Sequence, residues 1–138
     1  MSEGFSASGS CLCKAVSFIS AATSRDLGAC HCGMCRRWSG GPLLSLEATP
    51  IFTGEEHITL YASSDWAERG FCRHCGSHLF YRTKDRTHYY MPVGLFDAVE
   101  GITFTQQIFI DRKPDYYSFA NHTGMMTEAE VMAMFAQE

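Results

Sequence analysis

The sequence predicts a mainly β fold made of short strands and closed by one helix at its C-terminal end. Two observations point there. Apolar residues recur within short segments of about four to six residues, split by Pro50 and by Gly54-Glu55-Glu56, which suits strands better than helices. Near the end, Thr127-Glu128-Ala129-Glu130 is a capping box, with Glu130 three residues after Thr127, and Val131, Met134 and Phe135 follow on one helical face. A third observation constrains how so many short strands are held: seven cysteines fall in three close groups.

In chain order, residues 1–9 are rich in Gly and Ser and predict a frayed start. Residues 10–20 predict a strand carrying Cys11 and Cys13, whose i, i+2 spacing would deliver both sulfurs to one side. Residues 24–29 read as a connector. The loop Cys30-His31-Cys32-Gly33-Met34-Cys35-Arg36-Arg37-Trp38 follows, ended by the breaker Ser39-Gly40-Gly41-Pro42. Strands are expected at 43–47, 50–53, 58–62 and 68–71. Cys72-Arg73-His74-Cys75-Gly76 predicts a tight turn, with Gly76 suited to positive φ, and 79–82 returns as the partner strand. Residues 88–93 and 106–110 complete the strands, with a loop over 94–101.

With 138 residues, one domain spanning 1–138 is expected, large enough to bury a core. A net charge of −4 argues against a general nucleic-acid binder, which needs a basic face. No run of 18 apolar residues predicts a membrane span, and the first residues lack the basic and apolar regions of a secretory signal. The expected setting is a reducing cytoplasm, where clustered cysteines read as metal ligands or redox groups before disulfides. Asn121-His122-Thr123 matches a glycosylation sequon by chance in that setting.

The cysteines divide into four and three. Cys11/Cys13 and Cys72/Cys75 form two ligand pairs separated by 58 residues, the usual form of a closed four-thiolate zinc site. Metal there would offset the entropy of closing a long loop. Cys30, Cys32 and Cys35 form a C-x-C-x-x-C cluster that could hold a second zinc with one coordination position left for water or substrate. So soft a donor set suits an incoming thiol as fourth ligand. Arg36 and Arg37 are candidates to clamp a carboxylate beside it. Other arrangements stay open. His31, His74 or His78 could close the second site, although His31, between two ligands, would point away. Cys32 and Cys35 could be a redox dithiol, or Cys11/Cys13 could pair with Cys30/Cys32. Phe52, Trp66 and Phe71 read as core, the methionines as gap filler, and Tyr116-Tyr117 as one residue in and one out. No Ser/His/Asp arrangement, phosphate loop or paired catalytic carboxylates stand out.

These segments together resemble the glutathione-dependent formaldehyde-activating enzyme family, whose domain is shared with centromere protein V. The resemblance rests on Gly9-Ser10-Cys11-Leu12-Cys13, on Cys30-His31-Cys32-Gly33-Met34-Cys35-Arg36 and on Phe71-Cys72-Arg73-His74-Cys75-Gly76-Ser77-His78-Leu79. Val93-Gly94-Leu95-Phe96-Asp97 and Ile108-Phe109-Ile110-Asp111-Arg112-Lys113-Pro114 extend it, to cover about residues 9–119. It implies antiparallel sheets in a β-tent and two zinc ions per chain. One would be enclosed by Cys11, Cys13, Cys72 and Cys75; the other would be held by Cys30, Cys32 and Cys35. It implies a carbon–sulfur lyase that adds a small thiol such as glutathione to formaldehyde or a related carbonyl, in the manner of S-(hydroxymethyl)glutathione synthase. Cys30, Cys32, Cys35 and Arg36 would carry the chemistry. The alternative is a non-catalytic zinc module for a protein partner. Gln107 stands where many relatives carry histidine, and Tyr116-Tyr117 replaces a stretch that often holds tryptophan.

Overall fold

The computed structural model describes residues 4–136. The strands are β1 (Phe5–Ser10), β2 (Ser17–Thr23), β3 (Asp26–Cys30), β4 (Leu43–Ala48), β5 (Pro50–Thr53), β6 (Ile58–Tyr61), β7 (Ala67–Cys72), β8 (His78–Thr83), β9 (Tyr89–Pro92), β10 (Thr103–Ile108) and β11 (Gly124–Met126). The helices are α1 (Gly33–Ser39) and α2 (Glu128–Ala136). The chain is therefore mainly β, with a short C-terminal helix. The contacts gather into two compact units, one built from the chain up to Arg25 with Ser45–Ile102, the other from Asp26–Leu44 with Thr103 onward.

The first unit is antiparallel throughout. β1, β2 and β5 form one small sheet. β6, β7, β8 and β9 form a meander that continues onto β4 through Ser45–Ala48. Val16, in the β1–β2 turn, and the strand residues Phe18, Leu46, Leu79, Phe80 and Met91 lie in its interior, each at most 3% exposed. Burying each such side chain is worth about 1.5–3 kcal/mol. The same unit encloses the ion pair of Arg82 with Glu68 at 2.6 Å, and the guanidinium lies over the rings of Phe80 and Tyr89. Gly54 is confined by its surroundings. Its φ is +88°, and a Cβ added there would lie 2.1 Å from the carbonyl oxygen of Ala15. Gly54→Ala is expected to cost about 3 kcal/mol, read as a lower midpoint of denaturant unfolding.

His78, at the start of β8, gives this unit a pH dependence. Burial pushes its imidazole down to about 4, and the Arg69 charge adds to this against a hydrogen bond with the Phe80 backbone. The folded state thus binds a proton less readily than the unfolded chain, whose histidine titrates near 6.5. This contribution to stability is complete above about pH 6.5 and is lost as pH falls toward 4. His78→Gln is expected to flatten the dependence of melting temperature on pH between 6.5 and 4 relative to wild type. The comparison separates it from the acid loss of any metal, which both proteins share.

In the second unit β10 runs parallel to both β3 and β11. This departs from the expected all-antiparallel arrangement. The connections between these strands are long, and long connections permit parallel pairing. The capping box forms as read: the Thr127 N–H donates to Glu130 Oε1 at 2.9 Å and the Glu130 N–H to Thr127 Oγ1 at 3.2 Å. Val131 is buried, but Met134 and Phe135 are 45% and 44% exposed, so the expected apolar face of α2 is covered only at its first turn.

Several local expectations are corrected. Residues 5–9 of the predicted frayed start belong to β1, while residues 1–3 lie outside those described. Cys11 and Cys13 sit in the turn between β1 and β2 rather than on a strand, and Leu12 points outward at 84% exposure. The connector at 24–29 is mostly β3, and the cysteine loop holds helix α1. Trp66 is exposed, as are Met34, Met125, Met132 and Met134, whereas Met91 is core.

Candidate metal centres and their surroundings

The four-thiol centre lies in the first unit. Two tight turns build it: the β1–β2 turn supplies Cys11 and Cys13, and the β7–β8 turn supplies Cys72 and Cys75. In the first turn the Cys11 N–H donates to the Val16 carbonyl, while the Val16 N–H donates to Cys11 Sγ at 3.4 Å. In the second the Gly76 N–H donates to the Cys72 carbonyl at 2.8 Å, and Gly76 takes the positive φ of +79° that its sequence position suggested. Ser77 joins the turns, because its Oγ accepts from the Leu12 N–H at 3.1 Å. Cys13 Sγ lies 3.7 Å from both Cys11 Sγ and Cys72 Sγ. A tetrahedral four-sulfur site with metal–sulfur bonds of about 2.3 Å has sulfur–sulfur edges of about 3.8 Å. The donor set therefore fits a tetrahedral metal ion in both chemistry and size. The Ser77 hydroxyl, 3.2 Å from Cys75 Sγ, favours the thiolate and holds that thiol down at about 5.

The three-thiol centre lies in the second unit. Cys30 ends β3, Cys32 caps α1, and Cys35 sits in the first turn of that helix. Cys32 has extended backbone and its Sγ accepts from the Cys35 N–H at 3.3 Å, the cap role usually taken by Ser or Asp. Gly40 closes the helix with φ +82°, its N–H donating to the Arg36 carbonyl at 2.8 Å. This short helix turns the sulfurs of Cys32 and Cys35 to the same point as Cys30, all within 4.8 Å of one another. Hydrogen bonding to Cys32 and Cys35, together with burial, pushes the Cys30 thiol far up, so three thiolates coexist here only beside a cation. Among the described residues no fourth Cys, His, Asp or Glu joins the group. The pairing of Cys11/Cys13 with Cys30/Cys32 is not what the fold assembles.

His31 points away from the sulfurs' role as ligands and into a different set of contacts. It is fully buried. Its Nε2 lies 2.8 Å from Gln107 Oε1 and its Nδ1 lies 2.7 Å from the Tyr117 hydroxyl. Gln107, also buried, donates through Nε2 to Thr123 Oγ1 at 3.0 Å. Burial holds the His31 imidazole below its ordinary range. Its backbone carbonyl accepts from Arg36 Nε at 3.0 Å, which fixes the stem of that side chain beside the thiols. Lys113 Nζ donates to the Tyr117 carbonyl at 2.6 Å and to Ser118 Oγ at 2.9 Å, anchoring the segment that carries Tyr117. His74 is engaged with His57 at 2.9 Å. Gln107 and Tyr117, which the sequence marks only as departures from the family pattern, meet on the two nitrogens of one ring. Tyr116 is 77% exposed and Tyr117 is half-buried.

Residues 6–112 match the family described as glutathione-dependent formaldehyde-activating enzyme. The chain belongs to this family. An uncharacterized lyase of Schizosaccharomyces pombe is 42% identical over 127 residues, covering 90% of this chain and 93% of that protein. A crystal structure of a Rhodobacter sphaeroides protein superposes with a TM-score of 0.56 at 26% identity, over 67% of this chain and 89% of the other. The matched span includes all seven cysteines of this formaldehyde-activating family member, together with His31, Arg36 and Gln107. It stops short of Tyr117 and Thr123. Among the described residues no helix is long and apolar enough to cross a membrane.

Proposed function

We propose that this protein is a zinc-dependent carbon–sulfur lyase that joins a small thiol such as glutathione to formaldehyde or a related carbonyl, in the manner of S-(hydroxymethyl)glutathione synthase. The observation that carries the reading is the unequal division of sulfur. Four thiols converge in one unit, and three converge in the other with no fourth protein ligand beside them among the described residues. Zinc is the ion best matched to both donor sets. Cys30, Cys32 and Cys35 would hold the zinc ion, which would lower the proton affinity of an incoming thiol.

The net reaction is R–SH + O=CH2 → R–S–CH2–OH. The sulfur electron pair forms the carbon–sulfur bond, the carbonyl π pair moves to oxygen, and the proton lost by the thiol ends on that oxygen. The chain's own residues supply placement, which is worth several kcal/mol when it makes the encounter intramolecular. Arg36, steadied through Nε, presents the terminal nitrogens whose geometry matches a carboxylate of the thiol. The reaction needs a free thiol, so a reducing cytoplasm is its natural setting. The net charge of −4 suits small-molecule partners rather than nucleic acid.

The test is the rate of adduct formation from glutathione and formaldehyde, followed by NMR, with protein carrying two zinc ions per chain. Acceleration over the uncatalysed rate is expected. No acceleration with both metals bound overturns the assignment of this thiol and carbonyl, and leaves a zinc module that serves a protein partner.

A further inference from the structure

The buried imidazole between Cys30 and Cys32 has a polarity that follows from the orientation of the Gln107 amide. A neutral imidazole offers one donor and one acceptor. Gln107 directs its NH2 group to the Thr123 hydroxyl, so the atom it turns to His31 Nε2 is its carbonyl oxygen, which can only accept. With the Gln107 amide in this orientation, His31 carries its proton on Nε2, and Nδ1 is left as an acceptor. The Tyr117 hydroxyl, 2.7 Å from Nδ1, then donates to it. Its one proton is spent on His31, and its oxygen can only accept from anything else. The phenol is half-buried rather than enclosed, and the Cys30 thiol and the Arg36 guanidinium are close enough to act on it electrostatically.

We propose that Tyr117 is a substrate-positioning residue that accepts a hydrogen bond from the hydroxyl of the thiol–carbonyl adduct, and that Thr123, Gln107 and His31 fix it in that polarity. This rests on the thiol–carbonyl reaction proposed above. The consequence is discrimination between the two ends of the reaction. The carbonyl substrate has no proton to offer Tyr117, whereas the R–S–CH2–OH product has one. The site thus holds the hydroxymethyl adduct better than the bare carbonyl. His31 acts at a distance from the reacting atoms and is a positioning residue: through its ring it sets Tyr117, and through its carbonyl it sets Arg36.

Two measurements on the full-length, zinc-loaded protein test this. Nitrogen NMR of histidine-labelled protein reads the tautomer of His31 without any turnover; the Nε2–H form is expected, and the Nδ1–H form overturns the proposal. Tyr117→Phe is expected to raise KM for cleavage of S-hydroxymethylglutathione, formed in solution from its components, by about fivefold, the effect of one neutral hydrogen bond. Glutathione affinity and zinc content are expected to stay at wild-type values, and the melting temperature to fall by a few degrees because the buried His31 Nδ1 loses its donor. Unchanged adduct kinetics, or an equal loss of glutathione affinity, overturns the role of Tyr117 while leaving the lyase reading intact. A wild-type protein with no adduct turnover overturns that reading, and the role with it.

Discussion

Cys72→Ser is expected to unfold the first unit at ordinary temperature and to reduce bound zinc from two ions per chain to one. Cys72 is completely buried and Cys11 is 2% exposed, so both are held within the interior rather than on a removable surface loop. The site closes a loop of 58 residues between Cys13 and Cys72, joining the β1–β2 turn to the β7–β8 turn. Closing such a loop costs entropy that the short strands repay slowly. Structural zinc binding is worth roughly 10–16 kcal/mol in small sites, as large as the whole stability of an ordinary domain. Weakening it by one ligand therefore threatens the fold rather than trimming it. Loss of near-ultraviolet circular dichroism and of the cooperative melt would show this, and chelation of wild type is expected to mimic it. A Cys72→Ser protein that melts like wild type with its metal content unchanged would mean that these four thiols hold no metal.

The residues differ in how openly they announced these roles. Strands β4 to β9 were legible because each is a short alternating run bounded by its own breaker: Pro50, Gly54, Gly76 and the loop after Pro92. The capping box of α2 was legible because both partners lie within four residues. Helix α1 was not, because Gly-Met-Cys-Arg-Arg-Trp-Ser has no apolar periodicity and its cap is a cysteine. Its stop signal, Gly40, was visible but read only as a breaker. Strand β3 was hidden because Asp-Leu-Gly-Ala-Cys has no alternation and is held by β10, some 75 residues away in sequence. Cys11 and Cys13 depart for the opposite reason: local alternation suggests a strand, while the chain reverses there between β1 and β2. The two groups of converging thiols are legible from spacing alone. The His31 network was not, because its members come from four separate segments and no local rule relates them.

Cys32→Ser is expected to remove the second zinc and abolish acceleration of adduct formation while leaving the fold nearly intact. The choice of serine matters. Cys32 has two jobs: its sulfur is one of three that converge, and the same atom caps α1 by accepting from the Cys35 N–H. Serine is among the best helix caps, so the cap survives and only the soft thiolate is lost. The cost to stability from the cap is expected to stay within about 1 kcal/mol. With two sulfurs and a weakly binding hydroxyl, the site should lose its zinc, and zinc per chain falls from two to one. The thiol then reacts only at its uncatalysed rate, since neither Arg36 nor any other nearby group replaces the acidifying ion. Cys32→Ala removes both jobs and is expected to lower the melting temperature further at equal loss of activity, which separates the cap from the ligand. Retention of both zinc ions and of the full rate in Cys32→Ser would show that Cys30, Cys32 and Cys35 do not form the reacting centre.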